Sequence, residues 1–156
     1  MINLLQNLEP RFCLAGDCIF VEEEEVNEQI YVTNGLYTVG LEINKKRHFN
    51  IKLKKKSIVG GYENMLGRNS EFAYKALHLV EGYSLRKQRM KPIMDRYPEF
   101  RDHVISWLIR FYYYIILMPM LEFKKEILLS ECMTQDRSQI EAYTNQEIKK
   151  AQELFN

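Results

Sequence analysis

The sequence predicts an α+β protein, a compact strand-built body followed by C-terminal helices. Three observations carry this. Short β-patterned runs separated by Gly, Asn and Asp turns occupy the chain from about Arg11 to Arg86. From about Lys87 the apolar residues recur at helical spacing instead. The composition, 156 residues with 46% hydrophobic, 28% charged and a net charge of +1, is that of an ordinary globular chain able to bury its own core.

Residues 2–9 read as a short helix with Leu4, Leu5 and Leu8 on one face, ended by Pro10. Arg11–Leu14 and Cys18–Val21 read as strands joined by an Ala15-Gly16-Asp17 turn. Glu22–Glu25 is a run of carboxylates expected in a solvated turn. Gln29–Thr33 and Leu36–Ile43 are β-rich, and Asn34-Gly35 between them is a hairpin signal. Asn44-Lys45-Lys46 turns into Arg47–Leu53, where Phe49, Ile51 and Leu53 alternate with polar residues, as in a strand with one wet face. The glycine-punctuated stretch Ser57–Ala76 leaves a sheet, makes a short loop or one helical turn, and returns. Phe72–Leu79 and Gly82–Arg86 complete seven or eight short strands, enough for a roll, barrel or sandwich.

Met90, Ile93, Met94 and Tyr97 mark a first C-terminal helix, broken at Pro98. A second begins near Glu99 and carries Phe100, Val104, Trp107, Leu108 and Phe111. Its continuation to Leu121 is strongly apolar, is too short to span a bilayer alone, and should kink or end at Pro119. Asp136–Phe155 is a charged amphipathic helix with Ile140, Tyr143, Ile148 and Ala151 as its apolar edge.

Chemistry-bearing constellations are sparse. Cys13, Cys18 and Cys132 form no CxxC pair and read as free thiols of a reducing compartment. His48, His78 and His103 are scattered, and no metal-ligand spacing joins them. Ser57, Ser70 and Ser84 lack a nucleophile-elbow context, so an enzyme is not expected. The N-terminus, Met1–Leu5, does not read as a signal peptide. Lys45, Lys46 and Arg47 with Lys52, Lys54, Lys55 and Lys56 make a basic hairpin, read as solvated or as touching anionic lipid at the inner face of a membrane. The acidic turn offsets that charge, so nucleic acid is not an expected partner.

The order of elements, with particular residues, resembles the cyclic nucleotide-binding domain family. Those residues are Phe12-x-x-x-Gly16-Asp17-x-Ile19, Ile30-Tyr31 followed by Gly35, the loop glycines, Tyr74-Lys75-Ala76-Leu77, and Tyr83-Ser84-Leu85-Arg86-Lys87 before a helix. The span Glu81–Phe100 looks most like the domains of cyclic-nucleotide-gated and related voltage-gated potassium channels, protist versions being nearest in character. The resemblance implies a jelly-roll-like β-roll (a double-stranded β-helix) over residues 8–115, a phosphate-binding cassette, and a helical extension over residues 116–156. It implies a non-catalytic regulatory or interaction module, with a cyclic-nucleotide sensor of a cation channel as the alternative. Such a module is intracellular, either a fragment of a larger protein or a free-standing subunit. Partners are expected through the apolar helix 104–121 and the C-terminal helix: another protein, a membrane-protein complex, or a second copy.

The family's cassette pairs Phe-Gly-Glu with a later Arg-Ser/Thr-Ala. Its glycine and backbone N–H groups approach the phosphate, its arginine pairs with it, and its glutamate accepts from the ribose hydroxyl. Carried onto this chain, the ligand-binding set is Gly60, Gly61, Tyr62, Glu63, Arg68, Ser70 and Glu71. Gly61 takes the motif glycine's place, and Tyr62 or Glu63 the glutamate's. The later triplet falls on Ser70-Glu71-Phe72, which puts a carboxylate where a phosphate would need a hydroxyl, and no arginine. Losing a charge-assisted hydrogen bond costs about 1.5–3 kcal/mol, so cAMP or cGMP is not expected to bind tightly. Arg68 offers a different route to the phosphate.

Overall fold

The computed structural model describes residues 2–132 and 136–156. A short helix α1 (Ile2–Leu5) leads into eight strands among the described residues, and these form two four-stranded antiparallel sheets. The first has the order β1 (Glu9–Cys13), β8 (Val80–Arg86), β3 (Glu28–Asn34), β6 (Ser57–Val59). The second has the order β2 (Cys18–Phe20), β7 (Ala73–Ala76), β4 (Tyr37–Ile43), β5 (Lys46–Leu53). Ile30, Val32, Val59 and Val80 from one sheet meet Phe20, Tyr37, Val39 and Tyr74 from the other in a single core. The expected β-roll with C-terminal helices is therefore present.

The alternation of strands between sheets corrects one expectation. Asn34-Gly35 does not close a hairpin, because β3 and β4 lie in different sheets. Gly35 is needed for another reason: a Cβ there would lie 2.4 Å from the Leu79 carbonyl oxygen, at a backbone conformation of φ +113°. The true hairpin is β4–β5, whose turn residues Asn44 and Lys45 both have positive φ (51° and 63°), matching the strand twist. Pro10 sits inside β1, an edge strand, where a missing N–H is tolerated.

Helices cover one end of the roll. Leu4, Leu8 and Met65 pack with Leu85 of β8 and with Met90 and Met94 of α3 (Lys87–Arg96) in a satellite cluster. Next come α4 (Pro98–Phe111), a π-helical segment (Tyr112–Leu117) and α5 (Met118–Glu131), together one unbroken helix. Pro119 thus neither ends nor breaks it. Proline removes an N–H and crowds the preceding turn, and the wider π turn, with the Met118 N–H bonded to the Tyr113 carbonyl, absorbs the misfit. Unbroken, the Pro98–Glu131 helix is long and apolar enough to cross a membrane, contrary to the sequence expectation. In this fold its Tyr112, Tyr113, Ile116, Leu117 and Met120 are packed into the core of the roll.

The last helix, α6 (Arg137–Phe155), lies along α5 and is tied to it by Lys124–Glu147 at 2.9 Å. Its buried edge is Thr144, Ile148 and Ala151. Tyr143, expected there, is 55% exposed.

Candidate functional site

Between β6 and β7 the chain makes the one-turn helix α2 (Gly61–Leu66) and a return loop. Gly60 caps α2 with φ +75°, and a Cβ there would lie within 3.0 Å of Phe20, Val26 and the Glu28 carbonyl. A Cβ on Gly61 would lie 2.7 Å from Leu108 of α4 and 2.8 Å from Ile58. Gly60 is therefore required by its left-handed φ and close neighbours, while a side chain at Gly61 would have to displace the ends of Leu108 and Ile58.

Tyr62 and Glu63 point into the roll. The Tyr62 ring stacks on Tyr112 with centroids 3.9 Å apart and planes 5° from parallel. Phe155, at the end of α6, tilts onto Tyr62 at 5.9 Å and onto Tyr113 at 5.3 Å. Glu63 is 2% exposed and accepts a hydrogen bond from the Tyr74 hydroxyl at 3.3 Å. Burial raises its pKa to about 7; its own backbone N–H and the Tyr74 hydroxyl hold it down in part. The carboxylate thus occupies a backbone donor at the start of α2.

What remains between these groups is a cavity of about 10 Å³, lined by Tyr37, Gly60, Gly61, Glu63, Tyr74 and Tyr112 among others. That volume holds at most one water, whereas ligand pockets run to roughly 300–1,000 Å³. Of the polar side chains beside it, Tyr37 bonds Ser57 at 2.7 Å and Tyr74 bonds Glu63. The Tyr112 hydroxyl is buried beside the Glu71 carboxylate without a well-formed hydrogen bond to it, and burial, then that charge, push its pKa well up. The Asn64 Oδ1 is likewise buried and unpaired, while its Nδ2 meets the Met90 sulfur at 3.9 Å.

The rest of the expected set lies elsewhere. Arg68 is exposed, with its guanidinium 6.0 Å from the Tyr62 ring centroid, outside the cavity. Ser70 is buried, but its hydroxyl donates to the Phe72 carbonyl at 2.7 Å. Glu71 is exposed and, among the described residues, forms no ion pair with Arg68. Both side chains border an open groove of about 340 Å³ against α6, with Glu147 and Lys150. The acidic turn clamps this return loop by its backbone. Glu23 N–H bonds the Ser70 carbonyl, Ser70 N–H bonds the Glu24 carbonyl, and Glu25 bridges to Asn69. Glu22 also pairs with Arg47 at 2.9 Å, so the carboxylate run is more than a solvated turn.

Sequence reasoning missed Tyr74, Tyr112 and Phe155 as parts of this site. The aromatic triplet 112–114 and a phenylalanine ending an amphipathic helix were the available signals, but nothing local says which way they face.

No family model matches the chain, and no curated protein matches it in sequence. Solved structures do match in shape. The catabolite activator protein of Thermus thermophilus aligns at a TM-score of 0.60 and 15% identity over 69% of this chain and 50% of its own. The C-linker/CNBHD of zELK channels, crystallised in the presence of cAMP, aligns at 0.58 and 17% over 68% and 53%. The regulatory domain of Toxoplasma gondii PKA with cAMP aligns at 0.55 and 10% over 59% and 35%. The fold is that of cyclic nucleotide-binding domains. The chain spans half, or about half, of the first two structures and a third of the last.

Proposed function

We infer that this chain is a non-catalytic regulatory or interaction module of cyclic nucleotide-binding fold, its nucleotide site filled by its own side chains. The observation that carries the reading is the Tyr62–Tyr112 stack, capped by Phe155, over a cavity of about 10 Å³. A nucleotide would have to displace that stack and bring a phosphate to a loop where Glu71 replaces the expected hydroxyl and no arginine enters. Because α6 reports directly on the cassette through Phe155, the module would act by coupling helix position to partner contacts. The likeness to a channel CNBHD makes the intracellular part of a membrane-protein assembly the setting we favour. Partner contact would use the outward residues of the long helix, Trp107, Tyr114 and Ile115, together with α6.

Calorimetric titration with cAMP and cGMP tests this. The expected result is no saturable binding. A dissociation constant tighter than about 10 µM, roughly 6.8 kcal/mol of attraction, overturns it in favour of a sensor whose nucleotide displaces the stack.

A further inference from the structure

The outer face of the first sheet carries a feature that the cassette does not explain. Strand register places Pro10 opposite Tyr83, Tyr83 opposite Tyr31, and Tyr31 opposite Ile58. One row thus crosses all four strands, about 14 Å at the usual strand spacing. Their strand neighbours Cys13, Ile30, Val32, Val59 and Ser84 are buried, so the row faces outward. Tyr31 is 44% exposed and Tyr83 46%; Phe12, on the same face of β1, is 60% exposed. At the Ile58 end the row adjoins α4, since Ile58 and Leu108 lie 2.8 and 2.7 Å from where a Cβ on Gly61 would stand. There Trp107, 48% exposed, stacks on Phe111 with centroids 5.4 Å apart.

Cations border this strip. Lys54, Lys55 and Lys56 immediately precede β6, are exposed, and join no ion pair among the described residues. The Lys56 N–H bonds the Val32 carbonyl at 2.8 Å, which fixes the run at the edge of β3 and β6. Arg110 is exposed beside Phe111. The carboxylate on this face is Glu81, which accepts from the Asn34 amide at 3.3 Å.

We propose that this face docks on an anionic lipid surface. Tyr and Trp rings with one apolar body and one polar tip suit the headgroup boundary. Three adjacent unpaired lysines supply the attraction to anionic lipid, about fivefold in affinity for each. A second copy is the poorer occupant, since each copy would bring its three-lysine run onto a face that offers Glu81 in return.

The test is co-sedimentation of the full chain with vesicles at about 0.1 M salt, using phosphatidylcholine alone or with about 30 mol% phosphatidylserine. Pelleting is expected with the mixed vesicles only, with a blue shift in the emission of Trp107, the single tryptophan. Lys54→Gln/Lys55→Gln/Lys56→Gln should weaken binding on the order of 100-fold. Tyr31→Ser/Tyr83→Ser should weaken it roughly tenfold at unchanged charge, since binding scales with apolar area. Lys45→Gln/Lys46→Gln, at the far end of β5, should stay within about twofold of the parent. These positions are on the surface, and circular dichroism checks that each variant folds. Failure to pellet with either vesicle overturns the proposal, as does equal loss from the Lys45/Lys46 pair. So does a dimer by light scattering that Tyr31→Ser/Tyr83→Ser converts to monomer.

Discussion

The two halves of the segment from Gly60 to Glu71 meet opposite surroundings. Gly60 to Asn64 is buried: Phe20 and Leu108 crowd the two glycines, and Tyr62, Glu63 and Asn64 meet Tyr112, Tyr74 and Met90. Leu66 to Asn69 and Glu71 are exposed, and the loop is held by backbone bonds to the acidic turn. In a nucleotide site the two halves converge on one ligand. Here the first half has been drawn into the core and the second left at the surface.

The buried half of this segment is anchored by the Tyr62–Tyr112 stack. Tyr112→Ala removes the ring that Tyr62 lies on and is expected to cost about 3–5 kcal/mol, as large-to-small core changes do. Tyr112→Phe keeps the ring and deletes a buried hydroxyl that makes no well-formed hydrogen bond, so it should change stability by less than about 1 kcal/mol. Urea unfolding of both variants separates ring from hydroxyl; equal losses would refute the packing role.

Glu63 sharpens the same contrast through pH. Its pKa is raised in the fold to about 7 from 4.5, so the fold holds the proton more tightly than the unfolded chain. Its contribution to stability is therefore greatest below pH 4.5, falls as pH rises toward 7, and is constant above. Glu63→Gln should remove that slope and stabilise the protein at pH 8 by up to about 3 kcal/mol. Stability curves of the two proteins that run parallel from pH 5 to 8 would show that Glu63 is not buried as described.

The smallest effect belongs to the exposed half. Glu71→Gln and Arg68→Ala should each change stability by less than about 0.5 kcal/mol. A thermal melt that shows a larger loss would mean that the return loop is held by these side chains rather than by its backbone.

Much of the fold was legible in local pattern. Alternation marked most strands, the change of period at Lys87 marked the helices, and glycines marked the cassette, because each reflects a backbone preference of nearby residues. Asn34-Gly35 misled because an Asn-Gly pair records a backbone conformation, and a crossover between sheets can use it as well as a hairpin can. Pro119 misled because a π turn upstream, invisible in the sequence, relieved it. The departures at Ser70 and Glu71 were readable at once. The packing of Tyr112 and Phe155 on Tyr62 was not, since they lie about 50 and 90 residues from it and meet it only when the helices fold back.

Strand-then-helix order, the glycine-bound loop and the Ser70-Glu71-Phe72 triplet are all readable in the sequence alone. These depend on residue identity and short-range periodicity alone. The tertiary structure decided that Glu63 faces inward, that the Tyr62–Tyr112–Phe155 cluster leaves about 10 Å³ beside it, and that Pro10, Tyr83, Tyr31 and Ile58 share one outward row. Each of these follows from strand register or helix docking between distant segments, which no local pattern encodes.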